Sequence, residues 1–293
     1  MNSAQPGILH DVPAQARYLS FSIDPDGDLR QALTNLATIA NGEKIVVGIG
    51  KPVADALNAS VPGLTTFPQF KNAQVEVPAT NAALWCWLRG DDCGALVLTS
   101  RNVIEAVETG FICDSIIDGF RYDIGRDLTG YEDGTENPEG AEATDAAISF
   151  SDDSAMDGSS FVAVQQWVHD LNDFLSRPQD EQDDVIGRRK SDNEELEDAP
   201  ETAHVKRTAQ EDFDPEAFVL RRSMPWADAG HEGLLFVAFG KSFEAFNMLL
   251  RRMVGAEDEQ VDALFSFTTP VTGSYFWCPP IKNGVLNLKQ LGL

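Results

Sequence analysis

The sequence predicts an α+β protein with a duplicated ferredoxin-like fold, in which two β-α-β-β-α-β halves form antiparallel sheets. The first half alternates strand and helix patterns in the order of that fold. After a segment of small and acidic residues, 139–158, the same order begins again. The chain has 293 residues, enough for two such units with buried cores. We place the two halves at residues 1–145 and 146–293.

The elements of the first half follow from hydrophobic periodicity. Residues 16–24 alternate as a strand, and residues 29–41 carry leucine and isoleucine at helical spacing. An apolar strand at 44–50 ends in glycines. The remaining predicted elements are a short helix near 53–57, a strand at 83–89, a helix at 92–108 that begins with capping acids, and a strand at 113–121.

The second half repeats this order around one long interruption. Its predicted elements are a strand at 160–167, a helix at 171–175, strands at 217–223 and 233–239, a helix at 242–254, and a last helix and strand within 261–277. Residues 178–201 show no regular pattern. Because long irregular connections in compact domains are usually functional or disordered, we interpret this stretch as a loop that wraps a site, with a solvated acidic flap at 192–198.

Charge and the N-terminal sequence limit the function classes. The formal net charge is -25, which repels nucleic acid and suits cationic or neutral organic substrates. The N-terminus has neither a basic start nor an apolar run, and no window is long and apolar enough to span a bilayer. We therefore expect a cytoplasmic protein that acts on neither nucleic acid nor membranes.

Three segments carry the most specific signal. They are Gly-Arg-Asp-Leu-Thr-Gly-Tyr-Glu-Asp-Gly-Thr-Glu-Asn-Pro at 125–138, Ala-His-Val-Lys-Arg at 203–207 and Leu-Arg-Arg-Ser-Met-Pro at 220–225. In this order and at these separations they resemble the dye-decolorizing peroxidase family, in particular its compact bacterial branch. The resemblance implies a haem b cofactor held mainly by the second half. It also implies reduction of hydrogen peroxide and one-electron oxidation of organic donors such as dyes and phenols, with Mn²⁺ or porphyrinogens as further candidates.

His204 is the best candidate for the iron ligand among the four histidines. Haem iron held by one histidine keeps its sixth position open to peroxide. His10 lies near the terminus, His169 follows a strand end as a cap or surface residue, and His231 lies in a turn. A lone histidine is more often structural, so the neighbouring motifs carry this assignment.

A carboxylate that accepts the other ring N–H would make the ligand histidine electron-rich. The resemblance places such an acid on the segment 257–264, where we choose Asp262. Asp258 and Glu259 remain alternatives, and all three could equally be exposed acids on a helix face.

Peroxide cleavage requires a proton shuttle and a group that stabilises the departing charge. Asp133, in the Gly-x-x-Asp-Gly turn, fits the first role, although Asp-Gly is ordinarily only a turn signal. Alternation along a strand groups Arg221 with Ser223 and turns Arg222 to the other face. The family pattern selects Arg221 as the cation and Ser223 as a group that orders water or peroxide.

Haem propionates need cationic or amide partners. Arg188 is the first candidate, with Lys190 and Arg207 as alternatives, and each could also be a surface residue. The resemblance also places Thr135, Glu136 and Asn137 close to the haem edge.

The resemblance implies a homo-oligomer, a dimer or larger. A shell protein that encloses the enzyme is conceivable, but the short C-terminal tail at 287–293 gives it no support. The alternative function is a haem-handling protein for haem, iron or porphyrin traffic in which peroxidase activity is incidental.

Overall fold

A computed structural model describes residues 2–293. The strands are β1 (Asn2–Ser3), β2 (Gln15–Ile23), β3 (Ile45–Gly50), β4 (Leu84–Gly90), β5 (Phe111–Phe120), β6 (Ser160–His169), β7 (Leu220–Arg221), β8 (Met224–Ala227), β9 (Glu232–Gly240), β10 (Thr268–Pro270), β11 (Ser274–Cys278), β12 (Ile281–Lys282) and β13 (Val285–Leu286). The α-helices are α1 (Pro6–Leu9), α2 (Leu29–Ile39), α3 (Lys51–Ala56), α4 (Cys93–Val107), α5 (Gly140–Ala147), α6 (Leu171–Ser176), α7 (Gln179–Ile186), α8 (His204–Arg207) and α9 (Glu244–Met253). Short 3-10 helices lie at Gln210–Asp212, Ala263–Ser266 and Lys289–Leu291.

Most of the strands form one antiparallel sheet that closes on itself. Its order is β10-β6-β11-β3-β4-β2-β5-β8-β9-β7, and a further pairing of β6 with β9 completes the ring. The first half joins the second at two seams, where Gly119 of β5 pairs with Trp226 of β8 and Phe276 of β11 pairs with Gly50 of β3. The coarse prediction of a mixed helix and antiparallel-sheet fold is therefore confirmed.

Alternation along the strands divides the apolar residues between two cores. One core fills the inside of the closed sheet with large aromatic side chains, among them Tyr18, Trp85, Trp87, Phe239 and Phe276. The other lies between the outer face of the sheet and helices α2, α4 and α9, which contribute Leu33, Leu36, Val103, Val107, Phe246 and Leu250. Helices and loops of the second half lie against the outer face of β6 and β9, and the candidate site is on that face.

Local signals explain the helix boundaries that sequence reasoning found. The carboxylate of Asp28 accepts the backbone N–H of Gln31 at the start of α2, and Asp92 accepts that of Ala95 at the start of α4. Such side chains satisfy backbone donors that the first helical turn leaves unpaired. Both helices therefore begin where the capping acids predict.

Two predictions of irregular structure and one of a strand are wrong. The predicted linker 139–158 contains α5, whose buried face consists of the small residues Ala143, Ala146 and Ala147. The predicted irregular stretch 178–201 begins with α7, which ends at Gly187 with φ of 91°. The predicted strand 217–223 begins only at β7 and is interrupted at residues 222 and 223, although the Arg222 N–H still donates to the Val237 carbonyl and β8 pairs with β9 in the register of β7. Within residues 2–293 no helix combines the length and apolar character that a bilayer crossing requires.

Candidate active site

A large cavity lies on the outer face of β6 and β9, beneath α8, α9 and the loop 125–138. It encloses about 1590 Å³ of atom-free space, part of which is open to solvent. Much of its wall is apolar and comes from Val205, Val219, Leu234, Phe236, Phe246, Leu249, Leu250, Met253, Leu264 and Phe267. Ligand pockets typically combine such a wall with a few placed polar groups.

His204 is the first residue of α8 and lines this cavity. Its Nδ1 lies 2.7 Å from Oδ2 of Asp262, whose side chain is fully buried. The second carboxylate oxygen of Asp262 accepts the backbone N–H of Leu264 at 2.9 Å, which fixes the acid at the start of a 3-10 helix. The structure thus brings together the predicted histidine and the predicted acid.

The contact with Asp262 also selects a ring tautomer. A carboxylate at Nδ1 favours the proton on that nitrogen, which leaves the lone pair of Nε2 for a metal ion. The alternative acids do not share this position. Asp258 is paired with Arg207, whose hydrogen bond lowers the pKa of Asp258, and Glu259 is exposed.

Asp133 and Arg221 meet at the same cavity. Nη1 of Arg221 lies 3.3 Å from Oδ1 of Asp133, and both side chains are about one-fifth exposed. The backbone N–H of Asp133 donates to the carbonyl of Gly125 at 3.0 Å, which closes the loop on itself. The predicted acid and cation are therefore in contact, with access to the space that His204 faces.

Asn137 holds the backbone of Arg221 in place. Its Oδ1 accepts the N–H of Arg221 at 2.8 Å, and its Nδ2 donates to the carbonyl of Arg221 at 3.1 Å. Strand β7 pairs with β9 along one edge only. On its other edge, the two bonds from Asn137 take the place of a neighbouring strand. Asn137 lines the pocket that adjoins the large cavity at Asp133 and Arg221, and its place near the haem edge stays a prediction.

Three of the predicted cofactor contacts cluster at one part of the wall. Thr135, Glu136 and Arg188 all line the cavity. The Arg188 guanidinium bonds to Glu136 at 2.5 Å, lies 3.6 Å from Glu195 and donates to the carbonyl of Asn193. The alternative Lys190 instead places its ammonium 5.4 Å from the ring centroid of Tyr131.

Arg207 lies outside the cavity wall, and Ser223 lies beside Asp133 and Arg221 in an adjoining pocket. Arg207 turns away from the cavity and forms a bidentate ion pair with Asp258 at 2.7 and 2.8 Å. Ser223 lies in the gap between β7 and β8, and its hydroxyl accepts the backbone N–H of Val237 at 3.2 Å. Ser223 lines a smaller adjoining pocket instead of the large cavity.

Arg222 faces away from the cavity, as alternation requires. Its guanidinium donates to the carbonyls of Ile8 and Leu9 at the end of α1, at 3.2 and 3.0 Å. The choice of Arg221 over its neighbour therefore agrees with the geometry, since only Arg221 lines the cavity.

Sequence reasoning missed a second histidine–acid pair on the cavity wall. His169 is almost fully buried, with Nε2 3.1 Å from Asp127 and Nδ1 2.6 Å from the hydroxyl of Thr268. The interpretation of His169 as a cap or surface residue is wrong, because β6 extends to His169 and carries it onto the wall. Asp127 belongs to the motif at 125–138, so the pair ties this loop to the sheet. The sequence signal that could have led to this pair is the position of Asp127 within that motif.

The Asp127 carboxylate is stabilised as an anion. Burial raises its pKa, but the hydrogen bond and charge of His169 and two bonds from Thr129 outweigh burial, so the pKa of Asp127 lies below its ordinary value. A lowered folded-state pKa contributes stability above the unfolded-state value of about 4 and loses it as pH falls through the folded-state pKa.

We expect Asp127→Asn to lower the free energy of unfolding at pH 7 by roughly 1–3 kcal/mol, because it weakens a buried charge-assisted bond. The deficit relative to the parent should be smaller at pH 3 than at pH 7, because the stability that a lowered pKa contributes begins to be lost once the pH falls below the unfolded-state value of about 4. Urea unfolding at both pH values measures this, with the exposed Asp152→Asn as the control. An equal deficit at both pH values would contradict the electrostatic explanation.

Two buried donors on the cavity wall lack protein partners. Nε2 of Gln165 and Nε1 of Trp167 form no hydrogen bond in the part of the chain that the structure describes. Buried polar groups are normally paired, so these donors indicate a bound group with acceptor atoms. An apolar wall, one available imidazole nitrogen, unpaired donors and a cation at the rim together fit a large, flat, iron-containing cofactor with acidic substituents.

Comparisons with known proteins agree with this geometry. The family model described as "Dyp-type peroxidase, C-terminal" matches residues 125–283. The dye-decolorizing peroxidase of Rhodococcus erythropolis is 31% identical, over 93% of this chain and 85% of that protein. A DypB variant from Rhodococcus jostii in complex with heme superposes with a TM-score of 0.83 at 26% identity, over 93% of this chain and 94% of that one. The encapsulated DyP-type peroxidase of Mycobacterium smegmatis gives a TM-score of 0.85 at 28% identity, over 94% of this chain and 96% of that one.

Proposed function

The chain belongs to the Dyp-type peroxidase family, and from that premise we propose that Asp133 and Arg221 act on hydrogen peroxide at a haem whose iron is held by His204. The chain is a haem peroxidase. The observation that carries the assignment of residues is that one cavity gathers the Asp262-bound His204 and the Asp133–Arg221 pair.

Different residues of the cavity would bind different parts of the haem. His204 would hold the iron through Nε2, and Asp262 would polarise the imidazole through Nδ1. The apolar wall would bind the macrocycle, and Arg188 with the unpaired donors of Gln165 and Trp167 would bind its acidic substituents. When bound, the haem supplies the redox chemistry of peroxide reduction and donor oxidation.

Asp133 and Arg221 have complementary chemical roles. The Asp133 carboxylate accepts a proton from one oxygen of peroxide and returns it to the departing oxygen, which leaves as water. The Arg221 guanidinium stabilises negative charge that develops as the O–O bond breaks. Their contact at 3.3 Å holds the two side chains together, so both groups can act on the same peroxide molecule.

The experiment that tests this function is a visible absorption titration of the purified haem-loaded protein with hydrogen peroxide, followed by addition of a phenol or dye. We expect a rapid spectral change on peroxide addition and a return to the resting spectrum as the donor is oxidised. A haem-loaded protein whose spectrum does not respond to peroxide would favour the haem-handling alternative, which the comparisons do not favour.

We infer in addition that the two halves are ferredoxin-like repeats. In the first half the sheet order is β3-β4-β2-β5, which is 2-3-1-4 when the four strands are numbered along the chain. In the second half the order from β8 is β8-β9-β6-β11, which is again 2-3-1-4. This counting treats β7 with β8, and β10 with β11, as single interrupted strands. The proposed division at residue 145 falls within α5, which contacts both α1 and β9.

We also propose that the protein forms a homo-oligomer. The apolar side chains of Leu98, Ile112 and Ile116 are 64%, 49% and 45% exposed on α4 and β5, which suits an interface between subunits. The tail offers less to a shell protein, since Leu288 and Leu291 are buried within the fold. Light scattering of the purified protein tests the oligomeric state.

The net charge predicts a preference among electron donors. At low ionic strength we expect a cationic dye to be oxidised faster than an anionic dye of similar size, because the -25 charge attracts the cation. The difference should shrink as salt approaches ~0.1 M, where the Debye length is about 10 Å. Initial rates across ionic strength measure it. A faster anionic dye at low salt would contradict the prediction.

A further inference from the structure

A second, smaller pocket adjoins the large cavity at the Asp133–Arg221 pair. Both residues line both spaces. The small pocket has about 850 Å³ of atom-free space, part of it open to solvent, against about 1590 Å³ on the same measure for the large cavity. It is built from the loop after α1, the turn after β5 and the connection between β7 and β8, and it has room for a small organic molecule.

The pocket is lined mainly by basic side chains, although the protein as a whole is acidic. The whole chain carries 47 acidic against 22 basic residues, whereas four arginines but only two acids line this pocket. These residues are Arg121, Arg126, Arg221, Arg222, Asp11 and Asp133. A local excess of guanidinium groups next to a catalytic pair favours an anionic occupant.

Two of these arginines lack a carboxylate partner. Arg222 is only 8% exposed, and it donates to three backbone carbonyls without forming an ion pair anywhere in residues 2–293. Burial and the nearby Arg89 lower the pKa of Arg222, although Asp11 opposes them. Arg121 is exposed and likewise forms no ion pair within the described chain. Buried charges in proteins are normally paired, so a bound anion would stabilise the unpaired charge of Arg222.

The rest of the wall selects the kind of anion. Val12, Met224 and Pro225 give an apolar side to the pocket, and Tyr122 and Ile124 extend it at the mouth with exposures of 44% and 70%. A fully hydrated inorganic anion would gain little from this surface. A planar carboxylate attached to an apolar body matches both the guanidinium geometry and the apolar side.

We propose that this pocket binds small organic acids, with the carboxylate at Arg121 and Arg222 and the apolar body against Tyr122 and Ile124. The proposal extends the proposed function, on which it rests, by assigning a class of electron donor, the phenolic acids. Two phenolic acid molecules each give up one electron and the phenolic proton and leave as phenoxyl radicals, while one hydrogen peroxide becomes two waters.

The binding test uses benzoate and the haem-loaded protein, measured by isothermal titration calorimetry at ~0.15 M ionic strength, where the Debye length is about 8 Å. We expect Arg121→Gln to weaken benzoate binding roughly two- to fivefold, the range of an exposed ion pair. Ile124→Glu, which places an anion at the mouth, should weaken it further. Because both side chains are exposed, neither variant threatens folding.

Matched controls are Arg101→Gln on α4 and Leu175→Glu on α6, which make the same kinds of change at exposed positions outside the pocket. They should leave benzoate binding unchanged. The proposal is overturned if the control variants weaken binding as much as the pocket variants, or if none of the four changes it. Displacement of benzoate by an equal concentration of inorganic phosphate would also overturn the assignment of an organic acid.

A donor pair separates this proposal from the proposed function. With 4-hydroxy-3-methoxycinnamate as donor, Arg121→Gln should raise KM roughly two- to fivefold, whereas KM for its neutral methyl ester should not change. An equal rise for both donors would overturn recognition of the carboxylate. If the parent protein oxidises neither donor, the proposed function fails, while benzoate binding still reports on the pocket.

Discussion

The His204→Ala protein is expected to fold but to lose its haem. The imidazole of His204 is the cavity nitrogen that Asp262 leaves available to iron, and no apolar contact replaces a metal–ligand bond. We expect the purified variant to lack the strong haem absorption band and to take up added haem more than tenfold more weakly. Absorbance of haem relative to protein, before and after reconstitution, measures both effects.

Two further histidine variants show whether haem loss is specific to His204→Ala. His231→Ala removes an exposed histidine and should retain the full complement of haem, which controls for expression and reconstitution. His169→Ala removes the other histidine on the cavity wall, where both ring nitrogens already contact Asp127 and Thr268. Retention of a normal ferric spectrum by His204→Ala, with haem loss in His169→Ala, would reverse the assignment of the ligand.

Sequence patterns predicted those parts of the fold in which local chemistry decides the structure. Helices α2 and α4 begin at capping acids, and strict alternation along the strands separates the inner from the outer core. Alternation also distinguished Arg221 from Arg222, because Arg221 ends β7 and Arg222 keeps a backbone bond to β9. The role of Ser223 stays a prediction, since Ser223 lines the adjoining pocket and its hydroxyl accepts the backbone N–H of Val237.

The remaining features depend on contacts between distant segments. Helix α7 carries only Val185 and Ile186 as large apolar residues, so periodicity could not reveal it. His169 and Asp127 lie 42 residues apart, so no local pattern pairs them, although Asp127 belongs to the motif at 125–138. Closure of the sheet through β6 and β9 is likewise a tertiary event that no local pattern encodes.

We expect Asp133→Ala and Arg221→Ala to bind haem normally and to react slowly with hydrogen peroxide. Neither residue is proposed to hold the iron, and His204 and its acid are untouched by either change. Removal of one general acid–base group typically slows a reaction ~10²- to 10⁴-fold, and removal of one charge-stabilising donor ~10²- to 10³-fold. Stopped-flow absorbance after mixing with peroxide measures the rate for each variant.

Conservative variants separate chemistry from packing. Asp133→Asn keeps the shape of the side chain but cannot accept a proton at neutral pH, and Arg221→Lys keeps the charge but loses the planar fork. If Asp133 moves the proton, Asp133→Asn should be as slow as Asp133→Ala. If Arg221 acts through charge, Arg221→Lys should recover part of the rate that Arg221→Ala loses.

The pair is also expected to be non-additive, because the two side chains are in contact at 3.3 Å. The contact with Arg221 also positions the Asp133 carboxylate, so loss of the cation impairs the proton acceptor as well as the charge stabilisation. The Asp133→Ala/Arg221→Ala double variant should therefore be less impaired than the product of the two single effects. Single variants that bind haem and react with peroxide at the parental rate would reduce both residues to packing elements of a haem-binding cavity. In that case haem handling, rather than peroxide reduction, would be the function that the cavity serves.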